Sequence, residues 1–147
     1  MNVIDKAKAR LARAGVNQWQ SGYPQGSDIE EDIHKGQAYV LIVNQEVIGY
    51  MAIVYSKIEN EQGRFMEIAT LKRMALHDHS VKKGLSNLFQ EFFEKQARAR
   101  QFQTIRIDTL GENQAMMAFI KRHGYQYIGE IEVRVGEFRM NFEKQLT

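Results

Sequence analysis

The sequence predicts an α/β (mixed α+β) chain built on one mixed sheet, and three observations carry that prediction. Residues 39–43 and 47–55 are apolar, β-branched and aromatic, and Asn44-Gln45-Glu46 separates them, the pattern of an antiparallel hairpin. A strand-like run over 65–76 is followed by a helical stripe, Leu85, Leu88, Phe89, Phe92 and Ala97, and then by a short strand over 104–109. Strand, long helix, strand is a βαβ unit, so those two strands should run parallel. Two last strands, 125–133 and 137–142, turn at Gly136. Parallel and antiparallel pairs in one chain imply a mixed central β-sheet with helices on both faces.

The remaining elements follow from periodicity and capping. Ile4, Ala7, Leu11 and Ala14 fall on one face of a helix over 4–14 that Gly15 ends. Residues 22–26 read as a turn. Ser27 then stands as an N-cap with Glu30 as its capping-box partner, opening a short helix that turns Ile29 and Ile33 inward and stops at Gly36. Met116, Phe119, Ile120 and His123 mark a last helix, closed by Gly124.

Length and composition narrow the class. The 147 residues suit a single domain over 1–147, and 44% hydrophobic with 26% charged residues is ordinary for a globular protein. No apolar run is long enough for a bilayer, so no membrane role is expected. Residues 1–6 carry no secretory h-region. The cysteine count of zero excludes disulfides, a thiol nucleophile and thiolate metal sites, and the expected location is cytoplasmic. No His/Asp/Glu spacing argues for metal. A formal net charge of +2 is too small to argue for nucleic acid.

Positive charge matters where it clusters. The strand over 65–76 ends in a polar loop that contains His77, His79, Lys82, Lys83 and Gly84 and feeds a helix directly. A helix start offers unpaired N–H groups and the positive end of the helix dipole, and lysines add full charge. Gly84 lets the backbone approach an anion closely. The plain alternative is a solvated helix-start loop.

The order of elements around this loop resembles the GNAT superfamily of acyl-CoA-dependent N-acyltransferases, over nearly the whole chain. The family carries Gln/Arg-x-x-Gly-x-Gly/Ala here; this chain has Val81-Lys82-Lys83-Gly84-Leu85-Ser86, with Val81 in the leading position. Arg73-Met74-Ala75-Leu76 stands where the family has an apolar residue before the loop. A second family motif is echoed by Asn113, the helix to His123, and Gly124-Tyr125. Gln18-Trp19 followed by Tyr23-Pro24 is similar to the early segment of many small bacterial members.

The resemblance implies a GNAT-like fold whose parallel central strands splay apart. It implies acetyl-CoA as co-substrate, with pantetheine paired to the backbone of Met74, Ala75 and Leu76 and pyrophosphate against Val81, Lys82, Lys83, Gly84, Leu85 and Ser86. The acceptor amine then attacks the thioester directly, with a backbone N–H near Leu76 stabilising the oxyanion. Ile120 stands where many members place a tyrosine as general acid. Thr70 matches the position of the glutamate base used by some members, and Glu67 lies three residues away, where a strand bulge would change the register. Proton removal through water, with positioning supplying the rate, is the other route.

Each assignment has a plainer counterpart. Asn113 reads as a helix cap or as a pantetheine contact. Tyr125 reads as a core aromatic or as a group at the thiol end. Trp19 and Tyr23 either staple the N-terminal helices to the sheet or line the acceptor pocket. Arg73 reads as the partner of a carboxylate. Asp28, Glu30, Glu31 and Asp32 would draw a cationic acceptor, although acids also suit a helix start.

Three functions remain open on the residues: acetyl transfer to a primary amine of a small molecule or peptide, acyl-CoA sensing without catalysis, and nucleic-acid binding by the basic loop. CoA binding without thiol release would mark the second, and salt-sensitive oligonucleotide binding the third. A homodimer would pair through the last β-hairpin.

Overall fold

The computed structural model describes residues 1–77 and 84–147. Within them the elements run α1 (Asn2–Arg13), α2 (Gly26–His34), β1 (Ala38–Val43), β2 (Glu46–Glu59), β3 (Phe65–Leu76), α3 (Ser86–Ala99), β4 (Thr104–Thr109), α4 (Gln114–Arg122), β5 (Gln126–Arg134) and β6 (Glu137–Gln145). Every element expected from the sequence is present, in the expected order. The six strands form one sheet in the order β1-β2-β3-β4-β6-β5. The β3–β4 pair is parallel, from Ile68↔Thr104 to Leu71↔Ile107, and the β1–β2, β4–β6 and β5–β6 pairs are antiparallel.

The β1–β2 hairpin is tighter than the sequence suggested. Glu46 belongs to β2 and pairs with Val43, so only Asn44 and Gln45 turn the chain. Both are left-handed, at φ 50° and 66°, the backbone that a two-residue hairpin requires.

The N-cap of α2 needs correction. The capping box is formed by Gln25 and Asp28, not by Ser27 and Glu30. Ser27 lies inside the first turn. Ile33 is 64% exposed rather than inward, because the buried face of α2 carries Asp32 beside a partly buried Ile29. On α3 the buried stripe is Phe89, Phe93 and Ala97 at i, i+4, i+8, together with Gln90; Phe92 is half-buried and Leu88 exposed.

The chain divides into two compact units. Unit one comprises Met1–Ile53 and Lys72–Phe89. Its core joins Val3, Ile4 and Ala7 of α1 to Tyr50 and Ala75, with Trp19, Ile29 and Ala38 packed against them. Neighbouring Gly49 on β2 points the other way, since successive strand residues alternate faces. A Cβ there would meet the Phe89 ring at 2.7 Å and Leu76 at 3.0 Å. Within unit one, α1 and the start of α3 therefore cover opposite faces of β2.

Unit two comprises Val54–Leu71 and Gln90–Thr147. It contains the parallel ladder, the three strands β4, β6 and β5, and helix α4. Ile68, Ala69, Phe93, Ala97, Ile105, Ile107 and Ile120 are almost fully buried. Burial of an apolar side chain of the larger sizes contributes roughly 1.5–3 kcal/mol each.

Candidate active site

The end of β3 lies in unit one and is clasped by α1. Arg10 Nη1 donates to the Leu76 carbonyl at 3.3 Å. Lys6 Nζ lies 2.8 Å from His77 Nε2. An ammonium has only donors, so this ring nitrogen accepts and the proton is assigned to Nδ1. The His77 N–H donates to the Ile48 carbonyl on β2 at 2.6 Å. N–H groups alternate along a strand, so the Leu76 N–H faces away from β2. Leu76 is thus held by its carbonyl, with its N–H turned away from β2.

Three residues earlier the strand is irregular. Arg73 has φ 53°, a left-handed conformation inside β3 that costs a non-glycine residue about 1–3 kcal/mol. Its side chain explains how the conformation persists. Arg73 Nε donates to Asp32 Oδ2 at 2.7 Å and Nη2 donates to Asp32 Oδ1, a side-on ion pair. Tyr50 donates its hydroxyl to Asp32 Oδ2 at 2.5 Å, and Gln37 donates to Oδ1 at 2.9 Å. Arg73 Nη1 donates to the Tyr23 hydroxyl at 2.5 Å. Asp32 is 1% exposed, and its two oxygens accept two donors each.

Burial alone would push the Asp32 carboxyl up. The donors from Arg73, Tyr50 and Gln37 outweigh it and hold the group below its ordinary value. Burial opposes the Arg73 charge as well, and Asp32 and Tyr23 reverse that and push it up. Tyr50 is pushed up, by burial first and then by Asp32. The network is therefore a charged pair beside a neutral Tyr50. Arg73 does pair with a carboxylate, and the acid is Asp32, which cannot draw a cationic acceptor as a surface charge would. Two other helix acids are also engaged: Asp28 accepts from the Gln25 N–H at 2.7 Å, and Glu31 pairs with Lys35 at 2.7 Å. The sequence does carry a signal for the pair, since Asp32 stands three residues after inward Ile29 on α2.

Trp19 packs against the unit-one core and Tyr23 reaches Arg73, as staples between the N-terminal segment and the sheet. Gly84, Leu85 and Ser86 lead into α3. Gly84 is exposed at φ 72°, and the Asn87 N–H donates back to its carbonyl at 3.2 Å. The first turn of α3 carries no acidic side chain to repel an anion. Val81, Lys82 and Lys83, with His79, lie outside the described residues.

The other candidates lie in unit two. Asn113 caps α4, its side-chain oxygen accepting from the Met116 N–H at 3.2 Å. Thr70 is half-buried and paired opposite Arg106, and Glu67 is exposed near the start of β3. Ile120 is 2% exposed. Tyr125 is buried, and its hydroxyl lies 2.9 Å from Gln90 Oε1.

The direction of that last bond can be deduced. Glu94 receives Lys144 at 3.1 Å and Gln90 Nε2 at 2.9 Å, and a carboxylate only accepts. Gln90 must therefore turn its amide nitrogen to Glu94 and its oxygen to Tyr125, whose hydroxyl must donate. Burial opposes the Glu94 charge, but Gln90 and Lys144 outweigh it and lower the carboxyl. The phenol is pushed up by burial, so its proton stays and is directed into unit two. Sequence reasoning did not find this chain, although Gln90 lies on the buried stripe between Phe89 and Phe93.

No family model matches the sequence, and no curated protein matches it either. Solved structures do. A GNAT-family acetyltransferase from Streptococcus agalactiae 2603 superposes with a TM-score of 0.85 at 27% identity, over 100% of this chain and 88% of that one. One from Listeria monocytogenes 4b F2365 gives 0.68 at 21% identity, over 98% and 85%. One from Elizabethkingia anophelis, with acetyl-CoA bound, gives 0.66 at 14% identity, over 84% and 85%. The last two share the fold. With the strand order, the parallel β3–β4 pair and the full-length match at 27% identity, the chain belongs to the GNAT superfamily and is an acetyltransferase.

Proposed function

We propose that this chain, working as one domain over 1–147, transfers acetyl from acetyl-CoA to a primary amine of a small molecule or peptide. The observation that carries the reading is the junction of β3 and α3: a strand end held by its Leu76 carbonyl, then a left-handed glycine before a helix start free of acidic side chains. The acetyl-CoA bound in the Elizabethkingia anophelis relative supports the choice of cofactor.

In this reading the pantetheine arm pairs with the edges of Met74 and Leu76 beside Ala75, as an added strand does. Pyrophosphate takes the N–H groups of residues 81–86, and Asn113 adds a contact from the α4 cap. Trp19 and Tyr23 border the acceptor. The neutral amine attacks the thioester carbon, a C–N bond forms, and the oxyanion takes a hydrogen bond from the Leu76 N–H. The C–S bond then breaks, the thiolate leaves, and the amine proton passes to water. Of the two positions on β3 assigned to the base, neither is needed: Glu67→Gln and Thr70→Val should each change kcat/KM less than threefold. A larger loss in Glu67→Gln would make Glu67 the base, and one in Thr70→Val would give Thr70 a positioning role.

Calorimetric titration with acetyl-CoA, followed by thiol release with a panel of amines, tests the reading. Gly84→Glu should abolish binding while the fold persists, because among the described residues a Cβ at 84 meets nothing nearer than Asn87 at 3.9 Å. Gly84→Asn, which tolerates a positive φ, separates strain from charge and should still bind. Wild-type affinity in Gly84→Glu would refute the loop assignment. Buried Ile120, with Tyr125 turned to Gln90, favours a second reading, an acyl-CoA sensor. Tight CoA binding with no thiol release for any amine would select it. Cytoplasmic location and a homodimer through β5 and β6, where Tyr127 and Phe138 are exposed, complete the proposal. Light scattering that reads a monomer removes the dimer.

A further inference from the structure

We propose that Asp32 is a positioning residue for the acyl-CoA-binding edge of β3, acting through the backbone of Arg73. The inference rests on the acetyl-CoA reading of Met74 and Leu76 given above. Three observations, all within unit one, carry it.

First, Arg73 is the residue at which β3 leaves regular strand geometry, at φ 53°, and it immediately precedes the assigned edge. N–H and carbonyl groups alternate along a strand, so an irregular residue resets the direction of every group after it. With Arg73 as observed, the His77 N–H meets Ile48 on β2 and the Leu76 N–H faces away from β2. Relaxation of Arg73 would press that alternation to reverse.

Second, nothing intrinsic to arginine favours this backbone. Asn, Asp or Gly would adopt it more readily. The side chain must therefore be held from outside, and Asp32 does so with two parallel bonds, to Nε and Nη2. Such a fork fixes orientation as well as distance.

Third, the carboxylate is filled. Tyr50 and Gln37 occupy its remaining acceptor positions, and Tyr23 takes Arg73 Nη1. A pair satisfied so fully, and 1% exposed at Asp32, cannot swing to another partner without leaving donors unpaired. Helix α2 thereby fixes a backbone direction on β3, 41 residues later in the chain.

The test separates holding a backbone from merely stabilising a fold. Asp32→Asn sets an amide N–H2 against donors and should release Arg73. In the folded variant, acetyl-CoA affinity should fall at least tenfold, the acetyl-CoA KM should rise, and the Met74 and Leu76 amide resonances should move. Gln37→Ala removes one hydrogen bond to the same carboxylate and leaves the fork intact. It should lower the melting temperature while acetyl-CoA affinity stays within twofold.

The decisive variant is Asp32→Asn with Arg73→Gly. Glycine takes a positive φ unaided, so affinity and the two amide resonances should return towards wild type. Asp32→Glu keeps the charge on a longer arm; it should still shift the Leu76 amide should Asp32→Asn fail to fold. Unmoved amides and affinity within twofold in Asp32→Asn would overturn the proposal, as would no recovery in the double variant. Wild-type protein that binds no acetyl-CoA would instead refute the cofactor reading. The amide shifts and their recovery would still decide whether Asp32 holds Arg73.

Discussion

Gly49→Ala converts a close approach into a measurable energy. The added Cβ would lie 2.7 Å from Phe89 Cζ and 3.0 Å from Leu76 Cδ2. Carbon atoms prefer about 3.5–4.0 Å, so the neighbours must retreat by close to 1 Å. Phe89 is 3% exposed and Leu76 8%, so neither has solvent to retreat into. Overpacking of this kind costs about 1–3 kcal/mol. Against it stands the stiffer unfolded chain, worth about 0.4–1 kcal/mol to the alanine variant. The overlap wins, by about 1–2 kcal/mol. At about 2–4 °C per kcal/mol for a chain near this size, the melting temperature should fall by roughly 2–8 °C. Circular dichroism on heating reads it. A second variant locates the cause: with Phe89→Leu in place, Gly49→Ala should cost less, with a coupling above about 0.5 kcal/mol. An unchanged or raised melting temperature, or strict additivity with Phe89→Leu, would show that the Gly49 contact does not constrain β2.

Two further outcomes follow from hydrogen bonds and charge. Asn113→Ala removes the α4 cap and should lower stability by about 1 kcal/mol in urea unfolding; a rise in acetyl-CoA KM on top of that would identify Asn113 as a cofactor contact as well. Asp32 titrates lower in the folded chain than its unfolded value of about 3.9, so its contribution is complete above that pH and is lost as pH falls through the folded value. The urea midpoint should therefore drop as pH is taken below about 4, with a shallower drop in Asp32→Asn; identical slopes would mean that other carboxylates, such as Glu94, carry the acid sensitivity.

What the sequence made legible was whatever repeats at short range. The hairpin over β1 and β2, the βαβ unit and the stripe on α4 are periodic patterns bounded by turn residues, and all stand in the structure. The capping box of α2 was legible in kind and displaced in position, because Gln25 is not a favoured cap and Ser27 is. Ile33 was misread because Asp32 holds the buried position beside it, and an acid is not expected there without its partner. That partner, Arg73, is 41 residues away; the sequence marked Arg73 as the partner of a carboxylate but not of which one. The left-handed backbone at Arg73 was equally hidden, since glycine or asparagine would have signalled it and arginine does not. Of the candidate site, the β3–α3 junction was legible from the order of elements, and so was a core place for Tyr125; the direction of its hydroxyl bond was not, because it depends on Glu94 and Lys144.

The order β4-β6-β5 sets a timetable for synthesis. Translation delivers β5 before the strand that will separate it from β4, so β5 leaves the ribosome with its only sheet neighbour still unmade. Until Gln145 emerges to meet Thr104, β4 has a bare edge, open to the wrong strand or to another nascent chain. Closing unit two is thus a late and long-range event. Slow decoding over 137–145 would prolong an interval in which the β4 edge is exposed to mispairing.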